Sequence, residues 1–204
     1  MDNNELILQI TNVSKSFPGV QALDRINLSI RKGEVHALLG ENGAGKSTLV
    51  KILVGAYKKD AGSIIFDGQK REFTSPGEAY QTGISVIYQE TSLIPQLTVL
   101  QNIFLGMEYV RTFLKIIDDK RLMREYHKVC EKLGFRFHPN ELARNLSIAE
   151  QKMVEILKAM VHNASFIIMD EPTDSLSENE IQHLFTIIRD LKNHQMTVLY
   201  ITHY

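Results

Sequence analysis

The sequence predicts an α/β protein: an N-terminal antiparallel β section, a mostly parallel core sheet, and a helical block inserted between two halves of that core. Three observations carry the expectation. A glycine-rich stretch, Gly40 to Ser47, stands between an apolar strand and an amphipathic helix. A second apolar run, Phe166 to Met169, ends in the paired acids Asp170 and Glu171. From about Thr98 to Val161 the apolar spacing turns helical, and afterwards strands and helices alternate again.

Taken in order, Leu6 to Val13 and Ile26 to Ile30 show the period-two pattern of strands, and Arg31-Lys32-Gly33 turns the chain. Glu34 to Leu39 reads as a strand that delivers the chain into the glycine loop. After the loop, Leu49, Ile52 and Leu53 share a helical face that Gly55 closes. Asp67-Gly68 predicts a tight hairpin turn inside "SIIFDGQK". Ser75, Pro76 and Glu78 form a capping box with proline at the first helical position, and Ile84 to Tyr88 is a buried strand. In the helical block, Leu122, Tyr126, Val129, Cys130 and Leu133 lie on one face of a helix ended by Gly134. A second helix follows Ser147 and carries Met153, Val154, Ile156, Leu157, Met160 and Val161. "SFIIMD" is then a buried strand, Ser177 and Glu180 cap a helix, and "TVLYIT" is a further strand.

Composition bounds the function. At 204 residues, 44% of them hydrophobic and 23% charged, the chain reads as one soluble domain able to bury a core. With 23 basic against 24 acidic residues the net charge is −1, which gives no bulk reason to expect nucleic acid or an anionic membrane. Its apolar runs are too short to span a bilayer. No basic-apolar-small pattern opens the sequence, so no secretory signal is read. The single cysteine, Cys130, fits a reducing compartment and a plain core position. These features predict a cytoplasmic chain that meets a membrane only through a partner.

The chemistry-bearing residues begin with the loop. Gly40, Glu41, Asn42, Gly43, Ala44, Gly45, Lys46 and Ser47 match G-x-x-x-x-G-K-S, followed by Thr48. Glycines let backbone N–H groups turn toward phosphate oxygens, and the helix start adds partial positive charge. Lys46 reaches the terminal phosphates, and the Ser47 hydroxyl is a ligand for Mg²⁺. Asp170, at the end of a buried strand, can hold the same ion. Glu171, next to it, is placed to polarise an attacking water as general base. Water, rather than an acceptor alcohol, is the expected nucleophile.

With those residues in place the chain resembles the P-loop ATP-binding cassette of ABC transporters, nearly end to end. The resemblance implies ATP and Mg²⁺ as ligands. It makes Phe17 the aromatic that stacks on adenine and Gln89 the residue that touches Mg²⁺ and links the core to the helical block. His203 becomes the switch histidine at the γ-phosphate. Leu146, Ser147, Ile148, Ala149 and Glu150 occupy the signature position, which serves the nucleotide of the opposite cassette. "DSLS" from Asp174 to Ser177 follows the acidic pair, with no catalytic role assigned to Asp174. The nucleotide-binding core is expected over 1–93 and 164–204, and the helical subdomain over about 94–163. "FPGVQALD", "HALLGENGAGKSTLVKIL", "YQE", "LTVLQNIFLG" and "MVEILKAM" resemble the ribose, galactose and allose type of monosaccharide importer ATPases, which carry two cassettes, and here the first of them. That implies a second cassette, membrane permease subunits and, indirectly, a sugar-binding protein as partners, no nucleic acid, and a peripheral place on the cytoplasmic face of the cell membrane.

The chain departs from the family pattern at two places. The usual signature LSGGQ reads Leu-Ser-Ile-Ala-Glu here, so two glycines and a glutamine are replaced by Ile148, Ala149 and the carboxylate of Glu150. Ser147 and Glu150 instead spell an S-x-x-E capping box. The sequence also stops at Tyr204, just after His203, and is read as a fragment or truncated product holding half of a composite site. Two rival readings remain. A soluble ABC protein acting on DNA or ribosomes would show a basic stripe or a long coiled-coil insertion. A nucleotide-binding remnant would bind without turnover.

Overall fold

The computed structural model describes residues 5–111, 116–174 and 176–203. It divides into two compact units, Met1–Val86 with Ala164–Glu171 and Leu191–Tyr204, and Ile87–Asn163 with Pro172–Asp190.

The first unit opens with an antiparallel hairpin of β1 (Leu6–Phe17) and β2 (Val20–Arg31), turned at Pro18-Gly19. Both strands run longer than their period-two stretches. Register shifts between Ile10 and Ser16, with left-handed backbone at Asn12 (φ 50°) and Arg25 (φ 46°), break the alternation while the pairing continues. Next come β3 (Val35–Leu39), α1 (Lys46–Leu53), β4 (Ala61–Phe66) and β5 (Gln69–Arg71). The β4–β5 turn uses Asp67 (φ 47°) and Gly68 (φ 72°), both left-handed as a two-residue hairpin turn requires. The antiparallel sheet has the order β2-β1-β4-β5.

Helix α2 (Pro76–Gln81) precedes β6 (Ile84–Ile87). Ser75 caps it by accepting from the Glu78 amide at 3.3 Å. The expected reciprocal bond is redirected, because the Glu78 carboxylate accepts from the Thr74 amide (2.9 Å) and hydroxyl (2.8 Å), one residue earlier. Those donors hold the Glu78 carboxyl below its usual range.

The second unit is mainly helical. Thr98 and Gln101 close a capping box on α3 (Val99–Phe104). A two-residue antiparallel ladder, β7 (Val110–Arg111) with β8 (Ile116–Ile117), interrupts what the spacing predicted as helix from Thr98 onward. β-Branched Val110, Ile116 and Ile117 favour extended backbone, and the ladder is too short to register as a period. Helix α4 (Asp119–Leu133) buries Leu122, Tyr126, Cys130 and Leu133 and ends at left-handed Gly134. Burial raises the Cys130 thiol pKa, as expected of an inert core cysteine. Helix α5 (Ile148–Val161) packs against α3 and α4.

Asn102 holds the entry to this unit. Its side chain accepts from the Ile94 amide (2.7 Å) and donates to the carbonyls of Ile94, Leu97 and Thr98 at 3.0, 3.3 and 3.1 Å, while 1% exposed. Asn102→Ala should therefore destabilise the fold by about 1–2 kcal/mol, because the Ile94 amide loses its acceptor and three carbonyls, which still accept from the Leu97, Ala143 and Asn102 amides, each lose a second donor. Urea unfolding checks this; a change within about 0.5 kcal/mol, the scale of a surface substitution, would contradict it.

The chain returns with β9 (Phe166–Asp170), α6 (Glu178–Asn193) and β10 (Thr197–Thr202). At the start of α6, the Ser177 amide and hydroxyl donate to the Glu180 carboxylate at 2.8 and 2.7 Å. The core sheet has the order β3-β10-β9-β6, with β10 parallel to both β3 and β9. Phe66 joins the two sheets of the first unit, edge-on to Phe166 at 6.0 Å and to Phe73 at 6.3 Å. Leu49, Ile52 and Leu53 of α1 close the same core against Leu8, Ile10, Ile168 and Leu199.

Candidate functional site

The loop between β3 and α1 owes its shape to two glycines. Gly43 (φ 84°) and Gly45 (φ 90°) are left-handed. At Gly45 a Cβ would stand 2.4 Å from the Ala22 carbonyl oxygen and 2.8 Å from Leu23 Cδ2, so no other residue fits against β2. Gly45 is also the N-cap of α1, with no side-chain cap and no acidic residue in the first turn. The first N–H groups of α1 are therefore open to an external anion.

Lys46 lies over this loop with its stem buried. Its Nζ donates to the carbonyls of Gly40 and of Glu41, the latter at 3.1 Å, and stands 3.9 Å from Glu171 Oε1. Glu171 and His203 meet because β9 and β10 are parallel neighbours, with Asp170 opposite Ile201. Glu171 Oε2 is 3.3 Å from His203 Nδ1, so one carboxylate faces Lys46 and the histidine together. Glu171 is left-handed (φ 48°), and its amide donates to the Ile201 carbonyl at 3.1 Å. A non-glycine residue kept in that conformation directs its side chain at a small cost in strain, of order 1 kcal/mol.

A cleft of about 390 Å³ opens over the loop, lined by residues 41–48, Phe17, Val20, Ala22 and Glu171. Phe17, at the tip of the β1–β2 hairpin, is 37% exposed and stands edge-on to Tyr57 at 5.3 Å. An exposed aromatic face, a ring of amides, a lysine and a carboxylate suit a nucleotide with its phosphates on the loop. Ser47, exposed in the first turn of α1, and Asp170, half-buried at the end of β9, offer oxygen donors. An all-oxygen set with few protein ligands fits Mg²⁺, which takes the rest from phosphates and water.

The remaining expected residues belong to the second unit. Gln89 Nε2 donates to Asp174 Oδ2 at 3.0 Å, giving Asp174 a partner that no local pattern announced. Ser175 of the "DSLS" stretch lies outside the described residues. Leu146 and Ala149 are buried and Ile148 is 48% exposed. Ser147 accepts from the Glu150 amide at 3.3 Å and donates its own amide to the Glu150 carboxylate at 2.8 Å, closing the capping box at the start of α5. Phe17, the loop, Asp170, Glu171 and His203 thus share one unit, and Gln89 and Leu146 to Glu150 the other. Sequence reasoning passed over Val20 and Ala22, which line the cleft, and the buried pair Lys152 and Glu155. The signal for that pair was there: two charged residues within the apolar run of α5.

The model of the ABC transporter family matches residues 23–174. The galactose/methyl galactoside import ATP-binding protein of Yersinia pestis is 47% identical over 197 residues, covering 97% of this chain and 38% of that protein. The protein of the same name from Clostridium tetani is 45% identical over 205 residues, covering 100% of this chain and 41% of its own. A putative ribose/galactose/methyl galactoside import ATP-binding protein of Halalkalibacterium halodurans is 47% identical over 197 residues, 97% of this chain and 38% of its own length. The chain therefore spans about two fifths of the length of these curated relatives. Among solved structures, the ADP conformation of an ATP-binding cassette of an ABC transporter matches with a TM-score of 0.85 at 29% identity, over 98% of this chain and 82% of that one. A component of a Clostridium perfringens ABC transporter complex matches with a TM-score of 0.84 at 25% identity, over 98% and 80%.

Proposed function

The chain belongs to the ABC transporter family, with the fold of its ATP-binding cassettes, and from that premise we propose that it hydrolyses ATP to drive import of a monosaccharide. The observation that carries the chemistry is the convergence of Lys46, Glu171 and His203 beside a glycine loop whose helix start is uncapped. The sugar class rests on relatives named for galactose, methyl galactoside and ribose import.

In this reading Phe17 stacks on the adenine, and the amides of residues 40–48 hold the phosphates. Lys46 leaves the Gly40 and Glu41 carbonyls for the β- and γ-phosphates. Glu171 orients the attacking water and takes its proton, and His203 contacts the γ-phosphate. Ser47 and Asp170, with Gln89, would hold Mg²⁺, which would supply neutralisation of charge on the phosphate oxygens. Residues 1–93 and 164–204 act as the nucleotide-binding core and about 94–163 as the helical subdomain that meets permease subunits. The chain works as the first of two cassettes, and a sugar-binding protein delivers the cargo. No helix among the described residues is long and apolar enough to cross a membrane, in keeping with a peripheral subunit on the cytoplasmic face.

A lone cassette lacks the opposing signature, so the 204-residue chain should bind Mg-ATP weakly and hydrolyse almost none. Assembled with a second cassette and the permease, it should turn over ATP faster when the sugar-loaded binding protein is added. Brisk turnover by the purified monomer, or an assembled complex indifferent to monosaccharide, would overturn the proposal.

A further inference from the structure

Tyr88 to Leu93 has neither helix nor strand, yet it carries Gln89. Two buried charges on α5 fasten it. Lys152, 3% exposed, donates its ammonium to the Tyr88 carbonyl and, at 2.9 Å, to the Gln89 carbonyl. Glu155, 5% exposed and nearly one turn later, accepts from the Ser92 amide at 2.7 Å and from the Ser92 hydroxyl at 2.8 Å. Its second oxygen faces Lys152 Nζ at 3.7 Å. Burial holds the Lys152 ammonium below its usual pKa, opposed by Glu155. The segment is thus tied at both ends to one face of α5, with the Gln89 amide between them reaching Asp174.

An apolar pair of similar volume would fill this place without the desolvation of two ions. What it would not supply is two donors and an acceptor for a main chain with no ladder of its own. The tie begins where the chain has just passed from the first unit to the second, between Val86 and Ile87. Helix α5 begins at Ser147 and the signature position, about one turn before Lys152.

We propose that Lys152 and Glu155 form a buried clamp that positions Gln89 for turnover and carries it as one piece with the helix that starts at Ser147. Displacement of the signature end by the opposite nucleotide would then reach Gln89 through α5 and not through loose chain. Lys152 and Glu155 are positioning residues, and the proposal rests on the reading of Gln89 given above.

The test uses the assembled transporter with Lys152→Met, which keeps length and removes the charge. The ATP dissociation constant should stay within about twofold, while kcat falls about 10- to 100-fold, the scale of a misplaced catalytic group. Lys152→Arg should restore most of kcat. Gln89→Ala should fall similarly, and Lys152→Met with Gln89→Ala should fall no further than Gln89→Ala alone. Ser92→Ala, at an exposed residue, covers the case in which Lys152→Met does not fold, and should lower kcat without changing ATP affinity. Unchanged kcat in Lys152→Met or Ser92→Ala, or losses that add to that of Gln89→Ala, would overturn the clamp. Failure of the underlying reading looks different: Lys46→Ala would leave ATP binding intact, or Gln89→Ala would leave kcat intact.

Discussion

Glu171→Gln in the assembled two-cassette ATPase should keep ATP binding and lose about 10²-fold or more in turnover, the scale of a general base. The amide preserves side-chain length and the left-handed backbone, whose amide bond to the Ile201 carbonyl is untouched. What it removes is the carboxylate that faces Lys46 at 3.9 Å and His203 at 3.3 Å. Lys46→Ala should act on binding itself, since it deletes the cation held over the loop. Equilibrium binding of a fluorescent ATP analogue beside single-turnover hydrolysis separates the two effects. Normal turnover by Glu171→Gln would mean that another group activates the water.

Ser147→Arg in this cassette should leave most of the ATPase activity, whereas the equivalent substitution in the second cassette's signature should abolish it. The asymmetry follows from how α5 begins. The Ser147 amide already donates to the Glu150 carboxylate, and the Glu150 amide to the Ser147 hydroxyl, which holds a carboxylate at the helix start. An incoming γ-phosphate would meet that negative charge, and Ile148 and Ala149 remove the close backbone approach that glycines allow. This chain's own loop has no such competitor in the first turn of α1. The hydrolysed ATP is therefore expected on the Gly40 to Thr48 loop, completed by the partner's signature. Equal losses from the two substitutions would indicate two working sites.

How much was legible in the sequence follows the range of the interactions. The strand–loop–helix around Gly40 to Ser47 could be read because every signal in it is local: an apolar run, glycines, then a helical face. The caps read at Ser75, Ser147 and Ser177 are equally local, although at Ser75 the partner carboxylate reaches one residue further back. The ends of β1 and β2 were not legible, since bulges erase the period while main-chain pairing continues. The Gln89–Asp174 bond joins residues 85 apart and the Ser92–Glu155 bond residues 63 apart, and no spacing rule links such positions. A buried Lys and Glu on an apolar helix can be noticed in a sequence, but their partners are main-chain carbonyls and amides, which every residue has.

The middle place of β10 in the sheet order β3-β10-β9-β6 sets a timetable for biosynthesis. Strand β3 and its phosphate loop leave the ribosome early, but the edge that β10 covers waits for residues 197–202. At about 5–20 residues per second of synthesis, that wait is roughly 8–30 seconds. Throughout it β3 has no sheet neighbour, because β10, the strand it pairs with, has not yet been made. The contact between Glu171 and His203 is therefore among the last to form. Strand β10 therefore completes both sides of the cleft at once: it gives β3, which leads into the phosphate loop, its sheet neighbour, and it brings His203 to Glu171.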